Sequence, residues 1–407
     1  MIEVVFEMDD EEAPIGRRLM RIRKARGMSL RVLAGLSGLD RTTLSRIETG
    51  RRALDKRSEV VAVANALRIT PSELVEESES APGAPGGRDE DMTAVQAVHC
   101  ALTAAEFGYP GGLALPLDLL RSRISFVREA RRRGRLAEVA IRLPGLIRDL
   151  HTSIAAGRDV AELLPLATLL HVDVVAHWIH DAGAPELRLK AAALARNTAC
   201  EHGDTATLAV ATWGTSVALL TERMLDLAQA ELDAITAPAT TAATAGVLGG
   251  LLMTQALVAS VDKRLADVDA PMEVATELAQ RFGGADDRLG FAVGPAEVGV
   301  RRMKLALEAG EPDRAVCLAE HVRPQELSFV ARITGYWMEY GQALARLRGR
   351  QDDAVRALRT AEQLFPQRVR RNPFVRDALA DLLSRTRRDS PAGRELRRMA
   401  YRAGLTV

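Results

Sequence analysis

Residues 29–50 read SLRVLAGLSGLDRTTLSRIETG, and the spacing within this stretch decides the fold of the first part of the chain. Ser29 stands where a helix cap is needed, because its hydroxyl can accept a hydrogen bond from a first-turn N–H that has no helical partner. Leu33, Ala34 and Leu36 then form the expected inner face of a short helix. Ala34 is small enough to let a second helix cross closely. Gly38 supplies the turn between the two, since it takes a positive φ without steric cost. Leu39 fills the space between the helices, Asp40 caps the second one, and Leu44 and Ile47 are its buried i, i+3 pair. The side chains left outside are Arg41, Thr42, Thr43, Ser45 and Arg46.

The flanks extend the pattern. Residues 15–26 predict a preceding helix with Leu19 and Ile22 inward. Residues 58–67 and 71–75 predict a fourth and a fifth helix, buried through Val60, Val63, Ala64, Leu67 and Leu74.

This arrangement resembles the repressor-type (XRE, Cro-like) helix-turn-helix family of transcription regulators. The string Ser45-Arg46-Ile47-Glu48-Thr49-Gly50 is among the family's more recognisable endings. The resemblance implies a five-helix domain whose third helix enters the major groove of double-stranded DNA. It also implies an ion pair between an arginine of the first helix and the glutamate of the third, here Arg23 and Glu48. Such a pair fixes a packing angle more than it adds net stability. By side-chain chemistry Arg41 and Arg46 are candidates for bidentate guanine contacts, and Thr42 for a base edge or a thymine methyl. Ser29, Thr43, Arg51 and Arg52 are candidates for phosphates, which set register without reading sequence. Asp40 departs from the family, which usually places Ser or Thr there. Members usually bind as dimers to half-sites about one helical turn apart.

Charge supports the same reading. The 407 residues sum to +1, but residues 1–14 hold six acidic residues and no basic one, while residues 15–70 hold fourteen basic against four acidic. A basic N-terminal domain on a mildly acidic body is the electrostatic footprint of a DNA contact. The acidic start lacks the basic, apolar character of a secretory signal. Residues 245–261 are apolar, but the run is short and contains Gln255, as befits a buried helix. The expected location is the cytoplasm, with no membrane partner.

Residues 78–91, SESAPGAPGGRDED, cannot bury a core and read as a linker. Beyond it, abundant Ala and Leu with only 4% aromatic residues favour closely packed helices over sheets. Breaks at Gly134, Gly157, Gly183, Gly203, Pro238, Gly283, Gly310 and Gly349 recur at intervals that suit helix hairpins. The stretch DAVRALRTAEQLFP, with Ala354, Leu358, Ala361 and Pro366, resembles the second helix of a tetratricopeptide repeat. Tyr340, Gly341 and Leu344 resemble the first. A weaker copy surrounds Ala306, Ala315 and Ala319. The expected fold is therefore all-α: an acidic arm (1–14), a helix-turn-helix domain (15–77), a linker (78–91), and an α-solenoid of tetratricopeptide-like hairpins (92–407) that senses and dimerises.

The body shows little catalytic chemistry. No phosphate-cradling glycine loop, H-E-x-x-H string or G-x-S-x-G elbow is present. Cys100, Cys200 and Cys317 form no C-x-x-C pair. His177 and His180, with Asp173 and Asp181 nearby, lack an evident third strong metal ligand. The chain is expected to be no enzyme, with no cofactor and no metal. A DNA reader joined to such repeats resembles the peptide-sensing quorum regulators, in which asparagines on concave helices hold a peptide effector. Of Asn65, Asn197 and Asn372, only Asn197 is left without another role, with Arg188 and Arg196 near it in sequence. Trp178 and Trp213 complete the candidate set for a peptide or small-molecule pocket. The alternative is a constitutive DNA-bound scaffold whose repeats recruit a protein partner. Residues 367–402, with eleven arginines against four acids, read as capping helices with a solvated face.

Overall fold

A computed structural model describes residues 15–52, 54, 56–69, 74, 88–235, 239–283, 289–387 and 389–405. The acidic arm, most of the fifth N-terminal helix and most of the linker lie outside the described residues. Leu74 is described and is fully buried. Among the described residues the structure is all-helical, with no strand.

The N-terminal domain packs α1 (Ile15–Ala25), α2 (Leu30–Ser37), α3 (Arg41–Glu48) and α4 (Arg57–Leu67) around Leu19, Leu33, Leu44, Ile47, Val63 and Leu67. Both caps form. The Ser29 hydroxyl accepts from the Val32 N–H, and one Asp40 oxygen accepts from the N–H groups of Thr42 at 2.8 Å and Thr43 at 3.1 Å. Gly38 closes α2 at φ +66°. Gly16 lies where α1 crosses α3: a Cβ there would stand 1.9 Å from the Ile47 carbonyl oxygen, so no larger residue fits without moving the helices apart. One expectation fails. Leu36 is 61% exposed and not on the inner face. At 100° per residue it falls about 100° from Ser37, which is buried with Leu33.

The body runs from α5 (Arg88–Glu106) through α6 (Leu117–Arg132), α7 (Leu136–Ala155) and α8 (Val160–Ala182). The start of α5 lies four residues inside the stretch read as linker, because Arg88, Asp89, Glu90 and Asp91 form its first turn. A π-helical turn, Leu170–Val175, widens the middle of α8. Then come α9 (Arg188–His202), α10 (Thr205–Thr221), α11 (Leu225–Asp233), α12 (Ala242–Val261), α13 (Asp269–Phe282), α14 (Pro295–Ala309) and α15 (Pro312–Glu320). The chain closes with α16 (Val330–Arg346), α17 (Gln351–Leu364), α18 (Pro366–Arg371), α19 (Pro373–Arg385) and α20 (Pro391–Arg402). Neighbouring helices pair as a solenoid requires, with α9 on α10, α12 on α13, α14 on α15 and α16 on α17. In the last pair Ala354, Leu358 and Ala361 are fully buried, and Leu358 packs onto Gly341. Among the described residues two helices, α8 and α12, are long and apolar enough to cross a membrane. Both bury most of their residues inside the protein, as core helices do.

The stack curls far enough for its end to meet its beginning. Phe365 and Ala331, from the last third, belong to the core built by α5–α9. Arg368 donates to Asp181 at 2.8 Å, and Arg371 to the Asp181 carbonyl at 3.0 Å, across a seam between α18 and α8. A second buried set lies nearby: Asp173 accepts from Arg128 at 2.8 Å and Arg131 at 2.5 Å. The two arginines hold the Asp173 carboxyl well below the ordinary carboxylate range against the opposing cost of burial. Part of the arginine-rich C-terminal run is thus an internal fastening and not wholly a solvated face.

Candidate nucleic-acid interface

On α3, successive residues turn by 100°, which gathers Arg41, Ser45, Thr42 and Arg46 within an arc of about 140°. Leu44 and Ile47 occupy the other side and are buried, as is Glu48 at the margin next to Arg41. Arg41, Thr42 and Arg46 are exposed, while Ser45, inside the arc, and Thr43, about 60° beyond it, are half-buried. A short, cationic ridge therefore projects from a helix whose other side is anchored in a core.

The anchor is bidentate. Arg23 Nε donates to Glu48 Oε1 at 2.5 Å and its Nη2 to Oε2 at 2.7 Å, both groups being buried, and its Nη1 reaches the Met28 carbonyl at 2.7 Å. The hydrogen bonds that Arg23 donates to Glu48 raise the Arg23 pKa above its ordinary value. One side chain thus ties α1, the α1–α2 turn and the end of α3 together, which sets how far the ridge stands out.

At the other end of α3, the two backbone N–H groups on Asp40, that of Thr43 first, pull its carboxyl below the ordinary range. The negative charge sits at the positive end of the helix dipole. Ser29, whose oxygen serves as a cap acceptor, keeps its O–H for donation outward. Arg51 is exposed just past α3, whereas Arg52 donates to Glu59 at 2.7 Å and is half-buried. A phosphate contact by Arg52 has to share that guanidinium with Glu59.

The domain is seated on the body through a set of residues that sequence reasoning missed. The Leu54 N–H donates to Asp377 at 2.7 Å, and the Ser58 N–H to Glu308 at 2.5 Å. Phe374 packs against the N-terminal core and Val61 against the middle core of the body. Lys56, at the N-cap of α4, makes no cap bond of its own. The Glu308 carboxylate does this job from α14. The Lys56 ammonium lies directly on Gly310, where a Cβ would meet it at 2.0 Å. With the domain so seated, Arg41, Thr42 and Arg46 stay exposed. The signal available in sequence was slight: Asp377 is one of few acids in an arginine-rich run, and Glu308 is one acid among many.

The proposed pocket residues are not brought together. Trp178 is core, its Nε1 donating to the Leu136 carbonyl at 3.2 Å. Trp213 is wedged between His177 and Phe291, at ring separations of 5.9 and 4.7 Å, and donates to Thr254 at 3.1 Å. Arg188 is buried and donates to Thr221 at 3.1 Å. Arg196 pairs with Glu231 at the surface, and Asn197 is exposed beside it. Asp173 and Asp181, considered beside His177 and His180 as metal ligands, are engaged by arginines instead. Burial holds the His177 ring down at about 3, so it is neutral.

Residues 14–76 match the family model described as a helix-turn-helix domain. No curated protein and no solved structure matches the chain. The chain carries a helix-turn-helix DNA-binding domain at its N-terminus, and the match ends before the helical body begins.

Proposed function

We propose that the protein is a sequence-specific transcription regulator that acts on double-stranded operator DNA in the cytoplasm, with no enzymatic activity of its own. Arg41, Thr42 and Arg46 read base edges, and Ser29, Thr43, Arg51 and Arg52 hold phosphates. The observation that carries this reading is the exposed α3 ridge fixed from behind by the Arg23–Glu48 pair. A domain this small needs a second copy to reach useful affinity, so the body joins two chains at a spacing that matches two half-sites. The tetratricopeptide-like body also senses a peptide or small molecule. Its support is the seat: Glu308 of α14 caps α4, so a rearrangement of the body is felt at the turn that follows the DNA-reading helix. An effector shifts that arrangement only if it binds the two forms unequally.

Selection of operator sequences from a random DNA pool by the full chain, repeated with Arg46→Ala, tests this reading. A single consensus for the wild type and one relaxed position for the variant is the expected result. Unchanged selection by the variant would sink the groove assignment.

A second reading, a constitutive scaffold, is favoured by one feature. The segment after α5 runs along α7, with the Gly112 N–H on Thr152, the Leu113 N–H on Asp149 and the Leu115 N–H on Ser153. It holds Tyr109 82% and Leu113 68% exposed. Large apolar groups kept rigidly in water suit a protein partner.

A further inference from the structure

A cleft of about 380 Å³ opens between α6, α8 and α10, a volume within the range of small-molecule sites. Its walls are apolar: Pro165, Leu166 and Leu169 of α8, Val210 of α10, and Leu289. None of the five residues expected to line a pocket takes part. The hydroxyl groups at its edge are used internally. Thr168 donates to the Leu164 carbonyl at 3.1 Å and meets Thr198 at 2.9 Å, and Thr207 hydrogen-bonds the Asp204 carboxylate.

One polar group inside is released from the backbone ladder. Pro165 lies within α8 and has no N–H, so it cannot return the helical bond to the Ala161 carbonyl one turn earlier. Both residues line the cleft, so the carbonyl that lacks its ordinary helical donor belongs to a lining residue. A carbonyl without its helical donor has a strong need for another. Arg121 and Glu162, of opposite charge, also line it, and Arg121 is further paired with Asp118 at 3.4 Å, so the lining offers no unopposed charge of either sign.

We propose that this cleft binds a small, neutral, largely apolar molecule that carries one hydrogen-bond donor, and that the donor meets the Ala161 carbonyl. A peptide backbone would bring a row of donors and acceptors into walls that offer one open acceptor, and each unmatched group would lose its hydration. A charged ligand would gain from one of these lining residues and lose to the other. The site is placed to act on the rest of the molecule. Its α10 wall packs on α12, which packs on α14, and α14 carries Glu308 to the cap of α4. As an effector site the cleft rests on the sensing reading above; as a binding site it does not.

The test uses the full chain and two probes of nearly equal shape, diphenylamine, which has one N–H, and diphenylmethane, which has none. Binding is followed by ligand-observed nuclear magnetic resonance titration. Saturable one-to-one binding of diphenylamine is expected, with Ala161→Phe, at an exposed position, weakening it about tenfold or more by filling the cleft. Leu166→Trp is the second filling variant should the first fail to fold. Pro165→Ala returns an N–H to the ladder and trims the wall, so it should weaken both probes, and diphenylamine about fivefold more than diphenylmethane. Absence of saturable binding, or full binding by a folded filling variant, overturns the site. Equal loss of both probes in Pro165→Ala overturns the role of the Ala161 carbonyl. Operator affinity measured with the cleft saturated separates the two readings: an unchanged value overturns sensing and leaves the site standing.

Discussion

The Glu308 carboxylate accepts the Ser58 N–H at 2.5 Å, so a residue of the body caps the first turn of a helix in the DNA-binding domain. The two groups are 250 positions apart in sequence. Asp377 accepts the Leu54 N–H in the preceding turn, and together they fix the turn between α3 and α4 to the solenoid.

Removing the cap loosens that turn first. Glu308→Ala is expected to cost about 1 kcal/mol, the usual worth of an N-cap. Amide hydrogen exchange at residues 54–61 should quicken while α1 stays protected. Uniformly unchanged exchange in the variant would show that the seat carries no energy.

The Arg23–Glu48 pair behaves differently when broken than when replaced. Arg23→Ala leaves a buried carboxylate without its partner and should cost about 3–5 kcal/mol. Arg23→Met with Glu48→Leu removes both charges and should recover most of that loss. Thermal melting of the three proteins decides it. A double variant no more stable than the single one would mean that the pair matters for geometry that apolar side chains cannot supply.

Two arginines next to each other in space should have separable effects on DNA. Arg46→Ala should cost about 1–3 kcal/mol at one base position and relax preference there. Arg52→Ala should weaken all sequences alike and lower the slope of log affinity against log salt by about 0.9. Because Arg52 also holds Glu59, its loss is expected to lower the melting temperature slightly as well.

Stability should fall in mild acid through buried histidines. Burial holds the His151 ring at about 4 and the His177 ring at about 3, where the unfolded chain has them near the ordinary 6.5. The folded state therefore refuses protons that the unfolded state accepts. The stability involved is fully present above about pH 6.5 and is lost as the pH falls toward the folded values. Each such histidine contributes a slope of about 1.4 kcal/mol per pH unit within that window. Urea denaturation at pH 7.5 and 5.5 should show the loss, and His177→Gln should shrink it. Equal stability of the wild type at the two pH values would contradict the burial of these rings.

What could be read from sequence was local. The caps at Ser29 and Asp40, the turn at Gly38 and the buried pair Leu44 and Ile47 are exchanges between residues a few positions apart, where helical period and cap chemistry apply directly. Leu36 was misplaced because a short helix has room for only one narrow inner face, and apolarity alone does not say which leucine takes it. The seat and the seam were illegible for a different reason. Glu308, Asp377, Asp181 and Arg368 are ordinary charged residues on helical patterns, and only the curl of the whole stack decides which of them meet. The cleft was hidden in the same way. Nothing local marks Pro165, and the Ala161 carbonyl that it leaves without a helical donor belongs to a cleft-lining residue only because α6 and α10 leave a space beside α8.

The seat has a further consequence for synthesis of the chain. Leu54 emerges from the ribosome 323 residues before Asp377, its partner. During that interval the N-terminal domain can fold, since domains fold as units and the first-made fold first. It stays unseated until α19 is made. A nascent chain, or one cut short before α19, would present the same cationic ridge without the restraint of the body. If the body governs DNA binding as proposed, that control is acquired last, and loss of the C-terminal helices would remove the Asp377 contact to the domain.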